Sequence, residues 1–73
     1  MTAFSEMFDQ SIVVEGITFT YRADAQERRI DVQSAEIDSK RLRAMYPRLM
    51  QEIGRPGWQM VAHHARGRSE TLN

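Results

Sequence analysis

The sequence predicts one small α+β domain over residues 1–73, a β-β-α-β sheet with a single amphipathic, proline-kinked helix packed on one face. Three patterns carry that expectation. Alternating apolar residues occupy 12–33, an apolar stripe of helical period occupies 38–54, and a Pro-Gly turn then leads into a second alternating run from Trp58. A chain of 73 residues has room for one core and no second one. Hydrophobic residues make up 41% of it, enough apolar matter to build that core.

Residues 1–11 read as an anchor. Phe4, Met7 and Phe8 fall at i, i+3 and i+4, with Ile12 at i+8, an apolar stripe on one or two helical turns that Thr2 can cap. So short a helix does not hold alone, so the segment must dock on its own domain, on a second copy or on a partner. Residues 12–33 read as a β-hairpin. Ile12, Val13 and Val14 are β-branched, Glu15-Gly16 reads as a bulge or bend, and Ile17, Phe19 and Tyr21 alternate with Thr18, Thr20 and Arg22. A polar connection around Asp24 leads to a second strand, with Ile30 and Val32 inward and Arg29, Asp31 and Gln33 outward.

The helix is predicted over 38–54. Leu42, Met45, Tyr46, Leu49, Met50 and Ile53 gather within roughly 140° of arc at about 100° per residue. Asp38 or Ser39 supplies the N-cap, and Gly54 is placed to end the run. Pro47 lies away from the apolar stripe. An interior proline costs about 3 kcal/mol, and here it is expected to bend one helix around the sheet rather than divide it. Arg55-Pro56-Gly57-Trp58 has the type II turn pattern. In the strand predicted over 58–65, Trp58, Met60, Ala62 and His64 share one face, and Gln59, Val61 and His63 the other. Residues 66–73 read as a loop around Gly67 and a fragment of an edge strand.

The run Leu-Met-Gln-Glu-Ile-Gly-Arg-Pro-Gly-Trp-Gln-Met-Val from Leu49 to Val61 resembles a family of very small bacterial and phage proteins of unknown function. Members end in an amphipathic helix, a Gly-Trp-Glu-Leu-Val type strand and a final apolar strand. The resemblance covers about residues 42–63 and implies β-β-α-β packing, with Trp58 covering the end of the helix, and no activity. Gln59 stands where the family has an acid, an Arg-Pro is inserted, and Leu72 alone is apolar after Ala65. The last strand is therefore expected to be nearly missing, leaving a sheet edge for another chain to cover.

Ten basic and ten acidic side chains cancel, which excludes a strongly cationic nucleic-acid glove. They are unevenly spread. Residues 1–38 carry eight acids against three arginines, a balance of −5, and residues 39–73 carry seven bases against two acids, +5. Such poles either neutralise each other within the fold or favour self-association. The absence of cysteine excludes a disulfide framework and a thiolate zinc site and agrees with a reducing compartment. No basic-then-apolar leader opens the chain, and no apolar run approaches the roughly 18–20 residues of a membrane span. A cytoplasmic location without a membrane partner is expected.

Little chemistry is expected. His63 and His64, as consecutive strand residues, point to opposite faces, the wrong geometry for a shared metal, and a third ligand is not evident. Ser5, Ser11, Ser34, Ser39 and Ser69 have no Gly-x-Ser-x-Gly elbow around them. Gly54 to Gly57 follows a helix rather than opening one, so it is not a phosphate loop. No catalytic, metal or cofactor residue is therefore assigned, and no small-molecule substrate.

The leading expectation is a small interaction or inhibitor protein, a phage or bacterial accessory that self-associates as a homodimer. A single core of this size yields only about 3–5 kcal/mol, and oligomerisation is the remaining common way to add to it. The candidate surface is Phe4, Met7, Phe8, Arg41, Arg48, Arg55, His63, Arg66 and Arg68. The alternative is a nucleic-acid-binding accessory in which Arg55, His63, Arg66 and Arg68 cluster around the C-terminal hairpin. Trp58 is the one aromatic near those bases and the core claims it, so a stacking platform is missing.

Overall fold

Five strands pair in the order β1-β2-β3-β4-β5 in the computed structural model, which describes residues 8–64 and 67–73. They are β1 (Gln10–Val14), β2 (Ile17–Asp24), β3 (Arg29–Gln33), β4 (Gln59–His63) and β5 (Ser69–Thr71), with α1 (Ser39–Ala44) and α2 (Tyr46–Ile53) between β3 and β4. The α+β class holds. The expected β-β-α-β succession corresponds to β2, β3, the helical segment and β4, and each margin carries one strand more.

The extra strand at the N-terminal margin comes from Glu15-Gly16, which is a hairpin turn and not a bulge. Its residues sit at φ 53° and 78°, and two successive positive φ values are what a two-residue hairpin turn of the I′ kind requires. Val14 consequently faces Ile17, and β1 folds back antiparallel on β2 as far as Gln10 opposite Tyr21. Glu in place of the usual Asn or Asp hid the signal. The next turn is built by a side chain: Asp24 Oδ1 accepts the Gln26 and Glu27 N–H groups at 3.1 and 3.2 Å, and β3 returns antiparallel to β2.

The ladder between β2 and β3 ends in backbone terms at Gln33 opposite Thr20. Side chains then continue it. Ser34 Oγ donates to Thr18 O at 2.8 Å, and Thr18 N–H donates to Glu36 Oε1 at 3.2 Å, so both polar groups of Thr18 are met after β3 has turned away.

The predicted single helix divides at Met45. Asp38 caps α1 through Oδ1, which accepts Arg41 N–H at 2.8 Å. Met45 N–H is shared between Arg41 O and Leu42 O, both at 3.1 Å, the bifurcated pattern of a helix end. Pro47 then falls in the first turn of α2, where a missing N–H costs nothing. The proline therefore starts a second helix instead of kinking one. Gly54 closes α2 with extended backbone, φ −72° and ψ 161°. What requires glycine there is proximity: a Cβ would clash with the Met50 side chain and lie 2.7 Å from Met50 O. The Arg55–Trp58 turn closes through Trp58 N–H to Arg55 O at 3.1 Å, as its Pro-Gly pair predicts.

The helices carry the chain across one face of the sheet, so β4 enters parallel to β3, with Ile30 beside Met60 and Val32 beside Ala62. That face is the core: Val14, Ile17, Phe19, Ile30, Val32, Met60 and Ala62 from the sheet meet Leu42, Met45, Leu49 and Ile53 from the helices. Tyr46, Met50 and Trp58 flank it, half-buried. β5 pairs antiparallel with β4 from His63 opposite Ser69 to Val61 opposite Thr71. Asn73 extends that pairing by its side chain, accepting Met60 N–H at 2.8 Å and donating to Trp58 O at 3.0 Å. The final strand is thus short and polar but present, and Leu72 packs against the core.

Candidate interaction surface

The sheet face turned away from the helices holds a buried carboxylate. Asp31 is 1% exposed, and Arg29 and His63 reach it from the same face. Asp31 Oδ1 lies 2.8 Å from His63 Nε2, and Asp31 Oδ2 accepts Arg29 Nε–H at 3.2 Å. An ionised carboxylate only accepts, so with Asp31 charged the Nε2 atom carries the hydrogen. Phe8 crosses above, buried, with its ring edge-on to the His63 ring at 5.5 Å between centroids. Alternation already placed Asp31 and His63 on the outer face. What the sequence did not show was that β3 and β4 are parallel neighbours, which sets Asp31 beside Val61 and one step from His63.

The other histidine faces the helices. His64 Nε2 is buried without a hydrogen bond, 3.6 Å from Glu70 Oε1. Glu70 is engaged by Arg43 through a two-pronged contact, Nε to Oε2 at 2.8 Å and Nη2 to Oε1 at 3.0 Å. The hydrogen bond from Arg43, with the charges of Arg43 and His64 adding to it, holds the Glu70 carboxyl below the usual carboxylate range; partial burial works the other way. The same bond raises the Arg43 guanidinium further. Beside His64, an open cleft of about 480 Å³ runs between the β3–α1 connection and Arg68, with Ser34, Asp38 and Ser39 on its wall. Asp38 is already spent on its cap, and Glu70 on Arg43.

The predicted surface residues scatter. Phe4, Met7 and Arg66 lie outside the described residues. Phe8 is buried by its own chain, so it belongs to the fold and not to an exposed anchor. His63 is half-buried against Asp31. Arg41 and Arg48 are exposed on α1 and α2, Arg48 reaching Glu52 Oε2 at 3.4 Å as the i, i+4 spacing predicts. Arg55 lies over the Trp58 ring, 4.7 Å from its centroid. Arg55 and Arg68 stand at opposite ends of β4, and His63 points to the far face, so these three do not form the basic cluster expected around the C-terminal hairpin. Among the described residues no three His, Asp or Glu side chains converge as a metal site, and no helix is long and apolar enough to cross a membrane.

What sequence reasoning missed is that the outer edge of the hairpin belongs to a separate strand, β1. Among the described residues β1 has a strand neighbour on one side only. Its five residues, Gln-Ser-Ile-Val-Val, include no charge and no proline, the usual devices that blunt an edge. Val13 projects from it at 65% exposure, the one large hydrophobic side chain left exposed among the described residues. A correct reading of Glu15-Gly16 as a turn would have revealed this edge. Compared with protein-family models, curated proteins and solved structures, the chain matches none.

Proposed function

We propose that this chain is a small non-enzymatic interaction protein, an inhibitor or accessory that self-associates and acts by covering or extending another protein surface. The observation that carries this reading is the uncharged outer edge of β1, which has no strand neighbour among the described residues, with Val13 exposed on it. An edge of this composition binds strands by main-chain hydrogen bonds, with side-chain fit giving selectivity. The polar clusters support it indirectly, because both carboxylates drawn into them are engaged by structural partners, Asp31 by His63 and Arg29 and Glu70 by Arg43. A catalytic group needs a face turned to substrate.

Sedimentation equilibrium over a wide concentration range tests the reading. A reversible increase in mass with concentration is expected. A single monomeric species up to the millimolar range, together with failure to bind any β-strand peptide, would remove it.

A further inference from the structure

The interaction reading leaves the partner open, and the following inference rests on that reading. We propose that β1 pairs antiparallel with β1 of a second copy of this chain, about a two-fold axis passing between the two Val13 residues, so that two five-stranded sheets join into one. The backbone of β1 decides which atoms are available. Val14 and Ile17 close a two-residue turn as a hydrogen-bonded pair, and antiparallel pairs alternate, so Val13 and Thr18 form a pair that exchanges no backbone hydrogen bonds. Thr18 demonstrates this alternation: its N–H and C=O turn away from β1, to Glu36 Oε1 and Ser34 Oγ. The matching groups of Val13 turn the opposite way, to the outer edge, beside an exposed side chain.

Charge and shape select both the occupant and the register. Asp9 and Glu15 bracket the neutral strand. A two-fold axis at Ile12 would set Asp9 opposite the partner's Glu15 at both ends, and one at Ser11 would set Asp9 against the partner's Val13. Centred on Val13, the pairing sets Val13 against the partner's Val13 and Ile12 against the partner's Val14. Glu15 then meets a serine. β-Branched residues face β-branched residues at every central position, the favoured cross-strand combination, and no like charges oppose each other. Ile12 and Val14 belong to the helix-covered face, and Ile12 is only half-buried at the sheet margin, so this register continues the apolar core across the axis. The contact is the same patch on both chains and closes as a dimer. Pairing β1 with the three-residue β5 of another copy would instead leave a free edge at each end and propagate.

Two measurements on the intact chain test this. Amide hydrogen exchange followed by NMR should show the Val13 N–H exchanging rapidly in dilute solution and becoming protected as the protein is concentrated, while the Ile12 N–H, bonded to β2, is protected throughout. Val13→Lys places two ammonium groups against each other at the axis on a side chain that is otherwise exposed, and should weaken dimerisation about tenfold or more, with partial recovery at high salt. A wild-type dimer whose Val13 amide stays unprotected, or one indifferent to Val13→Lys, overturns this pairing and leaves self-association through another surface. A wild-type monomer at every concentration overturns the pairing and self-association together, and strand-peptide binding then decides the interaction reading.

Discussion

The helix-covered face of the sheet buries Phe19, Ile30, Val32, Met60 and Ala62 at 1% exposure or less, whereas the opposite face buries a carboxylate, Asp31, to the same 1%. The first face needs no geometry beyond close packing: its side chains gain by leaving water, roughly in proportion to their apolar area. The second is tolerable only because both oxygens of Asp31 are met, by an imidazole and a guanidinium. An apolar face degrades gradually as atoms are removed, while a buried charge fails at once when a partner goes. The contrast can be tested one residue at a time.

The largest loss is expected from the dry face. Leu49→Ala removes a fully buried side chain between α2 and the sheet and should cost about 2–5 kcal/mol in urea unfolding, with the spread set by how far the helix settles into the void. Asp31→Ala should come next, at about 1–3 kcal/mol, because it removes the carboxylate that His63 Nε2 meets at 2.8 Å while the more exposed Arg29 turns to water. Asp31→Asn keeps an acceptor and should cost less. If Asp31→Ala proves neutral, the outer face is not held by this cluster and the contrast collapses.

A smaller effect is read at Glu70 by changing pH. The Glu70 pKa is lowered in the folded state, so its bond to Arg43 stabilises at neutral pH, and that contribution disappears as the pH falls through the lowered value. Wild type should therefore melt above Glu70→Gln at neutral pH, with the gap closing in acid; a constant gap would assign the effect to packing. The smallest change belongs to Val13→Thr on the outer face. In dilute solution its melting should shift by no more than about 0.5 kcal/mol equivalent, since the side chain contacts little within its own chain.

How much of this was legible beforehand differs between elements for physical reasons. The apolar stripe from Leu42 to Ile53, the Asp38 cap and the Arg55–Trp58 turn are local, so spacing along the chain was sufficient. Glu15-Gly16 is local too, yet it misled, because the turn accepts a Glu in a left-handed conformation that its residue type disfavours. Met45 was misread for a subtler reason. Pro47 is tolerated either as a kink or as a helix start, and the break at Met45 selects the second. Arg55, His63 and Arg68 do not gather as expected because residues near in sequence are here spread along the length of a strand.

By itself the sequence determined the alternation of faces, the helical stripe, the caps and the neutrality of the strand that became β1, since each depends on residue type and short-range periodicity. The tertiary structure alone decided that β3 and β4 run side by side and parallel, which brings Asp31 to His63, and that among the described residues β1 has a strand neighbour on one side only. Neighbour identity in a sheet depends on contacts far apart in the chain, and residue spacing does not encode which strand lies next to which.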